Sequence, residues 1–316
     1  MKTIELDHIG KAYDKFVAVD DLSFAIEPGT MFGLLGPNGA GKTSTIRMMI
    51  GITLPDHGEV RMFGEPFRRS MLSRVGYLPE ERGLYPKMKV IEQLVFFGEL
   101  HGLSGAEARR RSLHWGERLE IASAYSKKTN ELSKGMQQKI QFIATLLHDP
   151  TFIIMDEPFA GLDPVNSRLL EDVLLELRKS GHTILFSTHR MDQVEKLCDA
   201  ICLVDHGKAV LQGELRAVKS RYGRDTVQIA FADSSDGFWL EGNPLITSLE
   251  RFEGYVQVRM ASGLSADQLL QQVAARARIH RFEVMEPSLE DIFIDVVGKG
   301  GGAQGSTEAA QAGRIG

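Results

Sequence analysis

Residues 36 to 43 read Gly36-Pro37-Asn38-Gly39-Ala40-Gly41-Lys42-Thr43, which meets the phosphate-loop pattern G-x-x-x-x-G-K-[ST] at every fixed position. The flanks agree with the motif. The apolar run from Thr30 to Leu35 reads as a buried strand, and Thr43 to Ile50 reads as a helix that Gly51 is placed to stop. Strand, glycine loop and helix, in that order, are what a phosphate-binding loop requires. Glycines allow sharp turns and close backbone approach to an anion. Loop amides and the helix N-terminus then face negative charge. Lys42 supplies a point charge for the β- and γ-phosphates, the Thr43 hydroxyl can ligate Mg²⁺, and Ser44 follows in the same turn.

Size and charge narrow the function classes. The 316 residues suffice for one large domain and a smaller one. A net charge of −5 gives no support to non-specific nucleic-acid binding, so no nucleic-acid partner is expected. No apolar run is long enough to span a bilayer, and Met1-Lys2-Thr3-Ile4-Glu5 lacks signal-peptide character, so a cytoplasmic location is expected. Cys198 and Cys202 fit no metal or redox spacing and read as small core residues.

Along the chain, Thr3 to Glu27 reads as two β segments with a turn near Asp14-Lys15. Tyr13 and Phe16 flank that turn. Strand aromatics serve either a core or a platform for a nucleotide base, and Tyr13 is the better platform because its hydroxyl can stay wet. Short strands are expected at Glu59 to Phe63 and Val75 to Pro79. The pattern then turns helical from Val90 to Ile121 and from Lys134 to Leu147, a helical insertion at about 88–149, with Ser133 capping the second part. Thr151 to Met155 is a buried strand ending in Asp156-Glu157-Pro158. A helix at Val165 to Lys179, a strand at Thr183 to Ser187, a helix at Met191 to Cys198 and a hairpin at Ala200 to Leu211 complete a domain at 1–222. A small α+β domain is expected at 223–298, with strands at Thr226 to Phe231, Tyr255 to Met260 and His280 to Met285 and helices at Ser265 to Arg276 and from Pro287-Ser288 to Val297. The Gly/Ala/Gln/Ser-rich tail at 299–316 reads as disordered.

Asp156 ends a buried strand at the edge where open α/β sheets bind ligands, so its carboxylate suits Mg²⁺. Glu157 is the natural general base for a water in line with the γ-phosphate. His189 ends the following strand and can donate to a phosphate oxygen and hold the attacking water.

Leu132-Ser133-Lys134-Gly135-Met136-Gln137-Gln138-Lys139, placed ahead of Asp156, resembles the signature motif of the ATP-binding cassette (ABC) ATPases. The resemblance covers roughly residues 3 to 220, with Tyr13, the phosphate loop, Glu80, the signature, Asp156-Glu157, Gly161-Leu162-Asp163 and His189 in family order. It implies a P-loop NTPase core of the ABC type that binds ATP and Mg²⁺. Two such domains meet head to tail in this family, so the Ser133 hydroxyl and Gly135 would face a phosphate held by a second subunit, identical or different. Asp163 would lie at the dimer seam. Two positions depart from the family. Lys134-Gly135-Met136 stands where Gly-Gly-Gln is usual, and Glu80 replaces a glutamine; a carboxylate there can ligate Mg²⁺ but changes the charge near the metal. Pro79-Glu80-Glu81-Arg82-Gly83-Leu84-Tyr85-Pro86, Ser187-Thr188-His189-Arg190-Met191 and Pro287-Ser288-Leu289-Glu290-Asp291 resemble bacterial exporter ATPases of the sodium-efflux type. That resemblance implies a separate integral membrane permease and a peripheral place on the inner face of the cell membrane. Soluble ABC ATPases of ribosomes or DNA would carry a second cassette or a long coiled coil, and this chain has neither; a regulatory ABC protein with little hydrolysis is the remaining alternative.

Overall fold

The computed structural model describes residues 1–81, 83–222, 226–261 and 263–301. It forms two compact units, Met1–Leu215 and the chain from Arg216 onward. The division falls at the start of a helix, α7 (Leu215–Arg221), ahead of position 222.

The first unit holds two sheets. Strands β1 (Ile4–Tyr13) and β2 (Phe16–Ile26) form an antiparallel pair, extended by β4 (His57–Met62) and the short β5 (Glu65–Pro66) in the order β2-β1-β4-β5. The second sheet has the order β10-β9-β3-β8-β7-β6, from β3 (Met31–Leu35), β6 (Val75–Leu78), β7 (Phe152–Asp156), β8 (Thr183–Thr188), β9 (Ala200–Asp205) and β10 (Lys208–Glu214). Its first five strands in chain order are parallel, and only β10 runs antiparallel. Every residue of β3, β7 and β8 is buried, as continuous apolar runs in a parallel sheet require. Phe152 and Phe186 are fully buried, each contributing about 1.5–3 kcal/mol relative to exposure. Because the strands are parallel, the loops after β3, β6, β7 and β8 all leave from one sheet edge.

The sheet is flanked by α1 (Lys42–Met49), α5 (Pro164–Lys179) and α6 (Met191–Leu197). Gly51, at φ 67°, follows the end of α1, and its N–H donates to the Met48 carbonyl at 3.1 Å. The insertion is helical, but Val90 to Ile121 is not one helix. It divides into α2 (Val90–Leu100) and α3 (Gly105–Arg118). Gly102 adopts φ 87°, outside the helical region, and Ser104 caps α3 by accepting the Glu107 N–H at 3.2 Å. The third insertion helix, α4 (Lys134–Leu146), carries Ser133 as its N-cap, with Oγ accepting the Met136 N–H at 3.3 Å.

The second unit is a four-stranded antiparallel sheet, order β12-β13-β11-β14, built from β11 (Thr226–Phe231), β12 (Ile246–Phe252), β13 (Tyr255–Met260) and β14 (Ile279–Met285). Helix α8 (Ala266–Arg276) supplies Leu269 and Val273 to a core with Val227, Ile229, Val256 and Val258. Strand β12 has no counterpart in the sequence reading. It is an edge strand with no fully buried residue, so no strong alternation marks it. Helix α9 (Leu289–Gly301) follows Pro287-Ser288, and from 302 onward the expected disordered tail lies outside the described residues.

Candidate active site

The phosphate loop joins β3 to α1 at the centre of the parallel edge. Its glycines are needed for two different contacts. A Cβ on Gly36 would lie 2.1 Å from the Val204 carbonyl oxygen, and one on Gly41 2.3 Å from that of Ala18. Gly36, Gly39 and Gly41 all have positive φ. Lys42 is only 7% exposed; its Nζ donates to the carbonyls of Gly36 at 2.7 Å and Pro37 at 3.0 Å. Ala40, within the loop, is buried. Burial lowers the Lys42 pKa, while Glu157, Asp156 and Glu80 oppose that shift. The lysine therefore sits between a desolvating loop and three carboxylates.

Asn38, Gly39, Gly41, Lys42, Thr43, Ser44, Glu80, Asp156 and Glu157 line one cleft of about 370 Å³, together with Phe16 and Ala18. Residues spread from position 38 to 157 meet because their strands share an edge. Asp156 is 1% exposed. Its Oδ1 accepts the Ser187 hydroxyl, and its Oδ2 is buried without a partner. A buried carboxylate oxygen with nothing to bond is costly, at about 1–3 kcal/mol or more for a charged group. With Thr43 and Glu80 in the same cleft, this donor set fits a hard cation that also takes oxygen ligands from phosphate. Among the described residues no cluster of three or more His, Cys, Asp or Glu could hold a metal.

Glu157 follows Asp156 with φ 49°, a left-handed backbone uncommon outside glycine that turns its side chain off the strand line. Its N–H donates to the Ser187 carbonyl at 3.1 Å. Its Oε1 accepts the His189 N–H at 3.1 Å and meets His189 Nδ1 at 2.8 Å, while Oε2 accepts the Thr188 hydroxyl at 3.2 Å. Glu157 and His189 thus form one bonded unit whose histidine half is exposed.

Two placements differ from the sequence reading. Phe16, not Tyr13, lines the cleft; Tyr13 sits opposite it in the β1–β2 register with Lys11 Nζ 5.8 Å from its ring centroid. Ser187 and Thr188, given no role at the site in the sequence reading, hydrogen-bond Asp156 and Glu157. Only the parallel pairing of β7 with β8, Asp156 against Ser187, reveals that role. Ser133, Gly135 and Asp163 lie outside the cleft. Ser133 is exposed at the start of α4, and Asp163 caps α5 by accepting the Asn166 N–H at 2.9 Å, a bond that lowers its pKa. A Cβ on Gly135 would touch Leu162 at 3.5 Å, so the signature helix and the Gly161–Asp163 loop are neighbours.

Comparison with known proteins agrees with this geometry. A model described as ABC transporter matches residues 19–160, and one described as the C-terminal domain of DrrA1-3-like ATP-binding proteins matches residues 213–297. The chain is 43% identical over 295 residues to an uncharacterized ABC transporter ATP-binding protein, YhaQ, of Bacillus subtilis, covering 93% of this chain and 98% of that one. This chain belongs to the ABC transporter ATP-binding proteins. Other members include a Nod factor export ATP-binding protein of Paraburkholderia xenovorans, 36% identical over 94% of this chain and 97% of its own, and the linearmycin resistance ATP-binding protein of Bacillus subtilis, 31% identical over 94% and 98%. The solved ATP-binding subunit of an ABC transporter superposes with a TM-score of 0.65 at 29% identity, covering 76% of this chain and 98% of its own. As an ABC ATPase the chain binds and hydrolyses ATP. Subunits of this family dimerise and work with membrane permeases, and no helix among the described residues is long and apolar enough to cross a membrane.

Proposed function

We propose that this chain is the ATP-hydrolysing subunit of an exporter whose translocation path lies in a separate membrane permease. The observation that carries the reading is the convergence of loop, orphaned Asp156 oxygen and Glu157 on one cleft, in a chain whose named relatives include Nod factor export ATP-binding proteins. The loop amides and Lys42 bind the β- and γ-phosphates. Thr43, Asp156 and Glu80 would hold Mg²⁺, which when bound neutralises phosphate charge. Glu157 takes the proton of the attacking water, and His189, bonded to Glu157, donates to the γ-phosphate. Phe16, which lines the cleft, stacks on the base, with Tyr13 opposite it in the hairpin. A second ATPase subunit supplies Ser133 and Gly135 in trans, with Asp163 at the seam. The assembly sits on the cytoplasmic face of the membrane.

The contact with the permease begins at the segment from Glu80 to Leu94. Glu80 touches the cleft, and Tyr85, five positions on, is 50% exposed with a fixed backbone. Its N–H donates to Oε1 of the fully buried Gln93 at 2.8 Å, and Gln93 Nε2 donates to the Thr129 hydroxyl at 2.8 Å. The Tyr85 ring packs 6.0 Å from those of Phe96 and Phe97. An exposed aromatic held this way resembles an interface anchor. The test is affinity purification of the tagged protein from membranes, followed by ATP-driven transport in vesicles. A membrane protein should be retained by wild type and largely lost from Tyr85→Ala. Retention of none, or equal retention by both, would overturn the assignment.

A further inference from the structure

Glu157 depends on a backbone shape that its own strand does not supply. At φ 49° it leaves the line of β7, and the chain turns through Pro158 and Phe159 toward the Gly161–Asp163 loop. The sheet holds part of that turn. The Glu157 N–H donates to the Ser187 carbonyl at 3.1 Å, and the buried Phe159 ring packs edge-on against Phe186 with centroids 5.9 Å apart. The turn also closes on itself, with the Glu157 carbonyl accepting the Ala160 N–H at 3.1 Å.

A further anchor comes from the helical insertion. Pro158 is buried and has no N–H, and its carbonyl accepts Nε2 of Gln138 at 3.0 Å. Gln138 is 4% exposed and belongs to α4, 20 positions earlier in the chain. Only the amide nitrogen of a glutamine can donate to a carbonyl, so the bond also fixes which way the side-chain amide faces. Gly135, three positions before Gln138, shares its helix face and lies against Leu162. One face of α4 therefore runs along the segment from Pro158 to Leu162. Gln138 itself is not among the residues that line the nucleotide cleft.

We infer that Gln138 is a positioning residue for ATP hydrolysis: its bond to the Pro158 carbonyl holds the turn that aims Glu157 at the attacking water. The inference rests on the reading of Glu157 as the base. A left-handed residue other than glycine is strained and persists only while its surroundings over-determine it. A buried carbonyl that loses its donor is costly and rotates toward any other it can reach. The carbonyl here belongs to the residue directly after Glu157, so that rotation moves the acid. The bonds from Glu157 to Thr188 and His189 depend on the same turn. A glutamine that only satisfied a buried acceptor would act on stability; this one acts on the rate.

Gln138→Met keeps the length of the side chain and removes its donor. In the full-length protein, hydrolysis at saturating ATP should slow roughly ten- to a hundredfold while ATP affinity, from an equilibrium titration, changes by less than about twofold, as expected of a displaced catalytic group. A rate within about twofold of wild type, or a rate and an affinity that fall together, overturns the inference. Gln138→Glu adds a readout that lost stability would not move. Burial raises the pKa of the introduced carboxyl. Protonated, it donates to the Pro158 carbonyl; ionised, it cannot. The rate of Gln138→Glu relative to Gln138→Met should rise as pH falls, and a flat ratio counts against the bond. If Gln138→Met fails to fold, the same rise is read for Gln138→Glu relative to wild type. Combining Gln138→Met with Glu157→Gln separates the two readings. A slow Glu157→Gln protein that Gln138→Met slows no further shows that the glutamine acts through Glu157, and full additivity overturns that. Glu157→Gln turning over within a few-fold of wild type instead overturns the base reading, and the positioning role with it.

Discussion

Ser187 donates its hydroxyl to one oxygen of Asp156, and the other oxygen of that carboxylate is buried with no partner. In the proposed site the serine orients the acid so that this oxygen is the one left for a cation. Ser187→Ala should therefore raise the Mg²⁺ concentration for half-maximal ATPase by about tenfold, from the loss of one hydrogen bond to a charged group. Asp156→Asn should raise it further. An unchanged Mg²⁺ dependence in Ser187→Ala would show that the bond does not orient the metal ligand.

Glu157 accepts three hydrogen bonds, two from His189 and one from Thr188. In the proposed mechanism Glu157→Gln removes the base without removing bulk. ATP binding should persist while hydrolysis falls by roughly 10²–10⁴-fold. Single-turnover hydrolysis beside an ATP titration measures both, and turnover within a few-fold of wild type would remove Glu157 from the role. Lys42→Ala should instead weaken ATP binding itself, because the charge acts on the ground state.

The β1–β2 hairpin offers two aromatics, but only Phe16 reaches the cleft. Base stacking on an aromatic is worth about 1–3 kcal/mol by alanine substitution. Phe16→Ala should weaken ATP binding by roughly that amount and leave inorganic triphosphate binding nearly unchanged, with a smaller effect from Tyr13→Ala. The reverse order would restore Tyr13 as the main platform.

Ser133 and Gly135 lie outside the cleft formed by their own chain, with Ser133 exposed at a helix start. Saturating ATP should drive Glu157→Gln into a dimer, and adding Ser133→Arg should keep it monomeric by placing bulk and charge at the trans phosphate. Sedimentation in both nucleotide states measures this. A Ser133→Arg protein that still dimerises with ATP would refute the arrangement.

The chain's order of residues was enough to identify the phosphate loop and the strand ending in Asp156-Glu157, because those features need only neighbours in sequence, and the ABC family, because its motifs follow one another in a fixed order along the chain. A glycine loop between an apolar run and an amphipathic stretch is a local requirement, and so is an acid after four buried residues. Tertiary structure decided everything that depends on which strands pair. Ser187 meets Asp156, and Thr188 meets Glu157, only because β7 and β8 run parallel in one register. The break at Gly102 and the edge strand β12 were likewise hidden, since one depends on a single φ and the other on exposure at a sheet edge. The unpartnered oxygen of Asp156 has no sequence signal at all. Whether a buried atom has a partner is a fact about its neighbours in space, and those are chosen by the fold.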